Sequence, residues 1–258
     1  MLKGTTAPCI PDHLLDYGSC PVVAFIHVCV LDWNMSEALL SLNGVSVRRG
    51  SSFVLKELNI EVYAGQLVLL SDKNGAGKST IIEAAAGLLP LEKGEILHHG
   101  ELFLDASGRA KRPSKAFGLT LQSDGCVGSL RLEEHLLNAL DLAGGRVEID
   151  AWLERYNLAH RKHDLIAHLS GGQRRKVAML AGILPGFVGK GPRILLLDEP
   201  AAGLDAASRS MLVEDLHELR RRGNVVLLAS HQPDFIACAT HIFPENEIHT
   251  NEAMDEPG

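Results

Sequence analysis

Three short segments of this chain combine residue types that handle phosphate and divalent metal. The first is Ser71-Asp72-Lys73-Asn74-Gly75-Ala76-Gly77-Lys78-Ser79-Thr80. Glycines let a backbone curl so that successive N–H groups point at phosphate oxygens, and a following helix N-terminus adds its positive dipole end. Asn74, Gly75, Ala76, Gly77, Lys78, Ser79 and Thr80 thus form a candidate polyphosphate cradle, with Lys78 against the β- and γ-phosphates and Ser79 on Mg²⁺. The strict P-loop pattern has glycine where Asp72 stands. Aspartate tolerates the backbone angles but brings negative charge toward the phosphates, so Asp72→Gly is expected to tighten nucleotide binding. The second segment, Leu195-Leu196-Leu197-Asp198-Glu199-Pro200, ends an apolar run in two acids. Asp198 suits a Mg²⁺ contact through water, and Glu199 suits a general base that orients an attacking water. The third, Leu169-Ser170-Gly171-Gly172-Gln173, fits a capping box between Ser170 and Gln173, and equally a second anion site on the N–H groups of Ser170, Gly171 and Gly172.

These residues need strands and helices to carry them. Gln66–Ser71, Arg193–Asp198 and Asn224–Ser230 are near-continuous apolar runs, as expected of strands buried on both faces. Phe117–Leu121 predicts a further strand, and Leu40–Val47 with Leu55–Tyr63 predict an antiparallel edge layer. Helices are predicted over Lys78–Leu89, Leu130–Leu142, Ile149–Leu158 and Ala206–Arg222, the last capped by Asp205 and closed by Gly223. The alternation implies an α/β fold: a largely parallel sheet flanked by helices, an antiparallel β layer, and a helical insertion at about 123–175.

Composition narrows the class. The chain has 258 residues, 46% of them hydrophobic and 22% charged, with a net charge of −7. That balance fits a globular core and argues against a basic nucleic-acid binder, so no nucleic-acid partner is expected. No apolar run reaches the roughly 18 residues that span a bilayer. Residues 1–34 read differently from the rest: they hold Cys9, Cys20 and Cys29, one basic residue, and a late apolar run without the pattern of a secretory signal. They read as an N-terminal extension or a mis-assigned start ahead of Met35, leaving a working protein of 224 residues, with 35–249 as one domain and 250–258 as a loose acidic tail. Cys126 and Cys238 then remain without C-x-x-C spacing, which supports neither a disulfide framework nor a zinc site and fits a reducing compartment.

In this order the motifs resemble those of the ATP-binding subunits of ABC transporters, over about residues 38–245. The resemblance rests on the turn at 72–80, Gln122 in Thr120-Leu121-Gln122, LSGGQ at 169–173, LLLDEP at 195–200, Gly203-Leu204-Asp205 and Ser230-His231, with 92 residues from Lys78 to Ser170. Within the family, the size and Ser230-His231-Gln232 are similar to those of small haem-exporter ATPases.

The resemblance implies ATP and Mg²⁺ as ligands and a head-to-tail homodimer or heterodimer that sandwiches two ATP molecules. Ser170, Gly171, Gly172 and Gln173 of one subunit would face the phosphate turn of the other. Gln122 would touch Mg²⁺ or the water, and His231 the γ-phosphate. The helical insertion would dock a separate membrane-spanning subunit, holding the chain at the cytoplasmic face of the membrane. Where the family places an aromatic residue to stack adenine, this chain has Arg49, with Phe53 close by as a substitute. Two other classes compete: a soluble ABC-type ATPase, for example in iron–sulfur assembly, and a weakly hydrolysing nucleotide sensor suggested by Asp72 and Arg49. Other signals read as structure or surface: His160, His163 and His168 as a surface loop in preference to a metal site, His98-His99 as an exposed strand end, and Arg109, Lys111, Arg112 and Lys115 as a solvated turn.

Overall fold

The computed structural model describes residues 37–71, 77–123 and 125–243. The expected extension at 1–34 and tail at 250–258 lie outside them, as do Asp72, Asn74, Gly75 and Ala76. β1 (Leu40–Arg49) and β2 (Ser52–Val62) form an antiparallel hairpin, and β4 (Lys93–His98) and β5 (Glu101–Asp105) extend it in the order β2-β1-β4-β5. The second sheet has the order β6-β7-β8-β3-β9, built from β3 (Leu67–Leu70), β6 (Gly118–Thr120), β7 (Ile194–Asp198), β8 (Val225–Ala229) and β9 (His241–Phe243). All its pairings are parallel.

The apolar runs are continuous because each central strand feeds two cores. Leu67, Leu69, Leu195, Leu197, Val226 and Leu228 face one cluster, shared with α2 (Leu132–Leu142), α3 (Ile149–Arg155), α4 (Gly171–Ile183) and α5 (Ala206–Arg221). Val68, Leu70, Ile194, Leu196, Val225 and Leu227 face the other, shared with α1 (Lys78–Ala85) and the antiparallel layer. The period-2 alternation of strand side chains makes this split, and each face buries its own apolar area.

The expected α1 runs to Leu89, but the helix stops at Ala85. Gly87 takes φ +70, Gly87 N–H bonds to Ala84 O and Leu88 N–H to Glu83 O, a left-handed termination. A Cβ at Gly87 would also stand 2.8 Å from the Phe103 ring. α3 likewise ends early, ahead of Asn157 at φ +55.

β4, β5 and β9 are strands that the apolar pattern does not announce. In β4 only Ile96 and His98 are buried, and in β5 only Leu104. His98 is a correction to the surface reading. It is 1% exposed, its Nε2–H donates to Ala85 O at 2.9 Å, and its ring stacks on Phe103 at 4.1 Å. The ring thereby joins the antiparallel layer to the end of α1.

α4 packs closely on β6 at two glycines. A Cβ on Gly118 would overlap the carbonyl of Gly182, and one on Gly182 would overlap the Thr120 hydroxyl. The helical segment between β6 and β7 is also tied to α5: Tyr156 Oη donates to Asp215 Oδ2 at 2.6 Å, and Arg155 reaches Asp215 at 3.1 Å and Glu214 at 2.7 Å. Among the described residues, no helix is long and apolar enough to cross a membrane.

Candidate active site

The carboxyl ends of parallel strands are where open α/β sheets bind ligands. Here β3 leads toward the phosphate turn and α1 starts at Lys78, while β7 ends at Asp198 and β8 is followed by Ser230 and His231. A cleft of ≈ 690 Å³ lies at that edge, lined by Arg49, Val54, Gly77, Lys78, Ser79, Thr80, Glu83, Gln122, Asp198, Glu199, Ala202 and His231. Eight of the predicted site residues meet there besides Gly77; Asn74, Gly75 and Ala76 lie outside the described residues.

Asp198 is 2% exposed and its Oδ1 has no hydrogen-bond partner among the described residues. Burial pushes its carboxyl above the usual carboxylate range, the Ser79 hydroxyl bond lowers it, and the charges of Glu199 and Glu83 raise it again. A buried carboxylate with a bare oxygen, a serine hydroxyl beside it and like charges around it fits a hard divalent cation.

Glu199 has φ +46, a left-handed conformation that costs a non-glycine residue free energy. Its N–H is held by Ala229 O at 2.9 Å. Its carboxylate is held on both oxygens: Ser230 Oγ donates to Oε2 at 3.1 Å, and His231 Nδ1 lies 2.9 Å from Oε1. With a carboxylate as acceptor, Nδ1 carries the proton, which leaves Nε2 as the ring's other hydrogen-bonding atom. Ser230 is fully buried, and its positioning of Glu199 follows only from the packing of β8 beside β7.

Arg49 lies in the cleft, where its Nε donates to Thr80 Oγ1 at 3.2 Å and its guanidinium pairs with Glu83. Phe53 does not line the cleft; Arg48 covers its face at 3.9 Å from the ring centre.

Ser170, Gly171, Gly172 and Gln173 do not line this cleft. They start α4 with a capping box, in which Gln173 N–H donates to Ser170 Oγ at 3.2 Å and Ser170 N–H to Gln173 Oε1 at 2.9 Å. The turn packs beside Gly203, and Lys176 reaches Asp205 at 2.9 Å. The Asp205 carboxylate caps α5 through Ser208 N–H at 2.8 Å, and this bond and then Lys176 hold its carboxyl well below the usual range.

His163 Nδ1 sits 2.6 Å from Glu133 Oε1, and among the described residues no group of three or more His, Cys, Asp or Glu side chains is placed to hold a metal ion.

A parallel sheet, a helix opening on Lys78-Ser79-Thr80 and an acidic strand end on the same edge define a P-loop nucleotide-binding ATPase. Residues 55–202 match the family model described as ABC transporter. The chain belongs to the ABC transporter family, as an ATP-binding subunit. It is 34% identical over 199 residues to the cytochrome c biogenesis ATP-binding export protein CcmA of Agrobacterium fabrum, covering 75% of this chain and 89% of that protein. It is 29% identical over 205 residues to the energy-coupling factor transporter ATP-binding protein EcfA1 of Thermotoga maritima, covering 76% and 74%. A solved structure described as the ATP binding subunit of an ABC transporter superposes with a TM-score of 0.63 at 28% identity, over 75% of this chain and 79% of that one.

Proposed function

We propose that this chain hydrolyses ATP to energise transport through a separate membrane-spanning partner. The observation that carries the reading is the single cleft shared by Lys78, Ser79, Gln122, Asp198, Glu199 and His231. Lys78 neutralises the β- and γ-phosphates. Ser79, Asp198 and Gln122 would hold Mg²⁺, which would supply positive charge to offset that of the phosphates. Glu199, fixed on both carboxylate oxygens, orients a water in line with the γ-phosphorus and accepts its proton as the bond to the leaving ADP breaks. His231 holds Glu199 through Nδ1–H and turns Nε2 to the γ-phosphate.

The Ser170–Gln173 turn stands off this cleft, and the reading assigns it to the nucleotide of a second subunit in a head-to-tail dimer. Differential affinity of ATP and ADP for the closed dimer then drives the stroke. The domain reading places residues 35–249 in one ATPase domain and the helical segment at about 123–175 against the membrane subunit, with the chain peripheral to the cytoplasmic face. An apolar cavity of ≈ 390 Å³ beside the Gln122 loop, with Val127 and Leu142 exposed at its rim, supports docking there. The comparison with CcmA favours a small exporter subunit.

The test is Glu199→Gln. ATP hydrolysis dependent on Mg²⁺ should be lost, and size-exclusion chromatography with ATP should show a trapped dimer that wild type does not accumulate. Absence of turnover in the wild type, even with its membrane partner, overturns the reading.

A further inference from the structure

We propose that Arg175 is a positioning residue for hydrolysis, a guanidinium clamp that fixes the Gln122 loop and Glu199 relative to each other. This rests on the ATPase reading above. Arg175 lies in the second turn of α4 and is 6% exposed. Its Nη1 donates to Leu121 O at 2.6 Å and to Gln122 O at 3.1 Å. Its Nη2 donates to Asp198 O at 2.9 Å and to Glu199 O.

These four carbonyls lie where the ladder between β6 and β7 ends. The strands pair from Gly118 with Leu195 to Thr120 with Leu197. Beyond Thr120 the chain leaves the sheet toward Gln122, and beyond Asp198 it turns into the left-handed Glu199. Buried carbonyls released from a ladder need donors, and a planar guanidinium supplies them in a fixed fork that a lysine ammonium cannot copy. The arginine reaches this point because Gly118 and Gly182 let α4 sit directly on β6.

The same helix begins at the Ser170–Gln173 turn. One rigid element therefore carries, at its start, the residues read as meeting the opposite subunit's nucleotide, and one turn later the clamp on its own Glu199. Engagement of the turn is thereby relayed to the hydrolytic groups of the same chain.

Arg175→Ala in the full chain is expected to lower kcat about 100-fold with KM for ATP within about 3-fold, since misplacing a reacting group by about 1 Å carries that order of penalty without touching ground-state binding. Added guanidinium at millimolar concentration should restore part of the rate, and Arg175→Lys should fall between wild type and Ala. A merely structural arginine would instead lower kcat, nucleotide affinity and melting temperature together and would not respond to guanidinium. That pattern, or a kcat within about 3-fold of wild type, overturns the proposal. Hydrogen exchange gives a readout without turnover. Faster exchange in segments 119–123 and 197–201 of Arg175→Lys supports the clamp, and unchanged exchange overturns it. A wild type that binds ATP without turnover counts against the ATPase reading alone, because the exchange experiment still decides the clamp.

Discussion

Acid should unfold this protein in part through one ring, and His98→Phe should reverse the effect. Burial, countered in part by the bond to Ala85 O, lowers the His98 pKa from 6.5 to about 4. The folded ring therefore stays neutral where the unfolded chain's ring is already charged. As pH falls through 6.5 the unfolded state gains a proton that the folded state refuses, so stability declines; below about 4 both states are charged and the loss stops. Linkage puts the loss at about 1.4 kcal/mol at pH 5.5 and about 2.6 kcal/mol at pH 4.5.

Phenylalanine keeps a ring on Phe103 but leaves Ala85 O without its donor, at a cost of about 1 kcal/mol. The variant should thus be less stable than wild type near neutrality and more stable at about pH 4.5, with the two curves crossing near pH 5.8. His99, lowered to about 4 by burial and by Lys115 and Arg193, faces an uncharged neighbour in both folded proteins above that pH and so drops out of the difference there. Urea unfolding followed by far-ultraviolet circular dichroism at a series of pH values measures the difference. Parallel curves, with no crossing between neutrality and about pH 4.5, would refute the reasoning.

Gly118→Ala puts a methyl onto the Gly182 carbonyl, which is backbone and cannot turn aside; a loss of about 3 kcal/mol or more, or insoluble expression, is expected in thermal unfolding. Tyr156→Phe leaves Asp215 Oδ2 without the phenol donor in a buried setting. It should cost about 1–3 kcal/mol in chemical denaturation, with a larger effect on hydrogen exchange in α3 and α5 than elsewhere. Ser170→Ala removes the cap on α4 and should cost about 1 kcal/mol of stability, and a melting temperature equal to wild type would count against the capping role.

Positions fixed by local pattern were legible before any fold was known. The three apolar strands are unbroken because both their faces are buried; Asp198-Glu199 stand at a strand end on the edge that any parallel sheet presents, and Lys78-Ser79 open the helix that lines the same cleft. The Ser170–Gln173 turn was ambiguous in sequence for a physical reason: a capping box and an anion-binding helix start use the same residue types, and the structure shows the cap. What escaped depends on contacts between distant segments. Nothing in the local sequence marks Arg175, between Arg174 and Lys176, until the Gly118–Gly182 approach brings it over two strand ends. His98 reads as surface because its strand carries few apolar residues, and the ring is buried by the α1 terminus, Phe103 and Phe117. Ser230 acquires its bond to Glu199 only once β8 lies beside β7.

The order of strands also bears on how the protein is made. β3, which leads into the phosphate turn, lies between β8 and β9: Leu67 pairs with Val226, and Val68 with His241. On the ribosome the antiparallel layer can close once β5 has emerged, since its four strands are near one another in the chain. The phosphate turn is synthesised early too, yet the neighbours that brace its strand are among the last elements to appear. Parallel pairings at such sequence separation form slowly and late. The strand that leads into the phosphate turn is therefore braced on both sides only late in folding, and a chain that stops before β8 should fail to bind nucleotide.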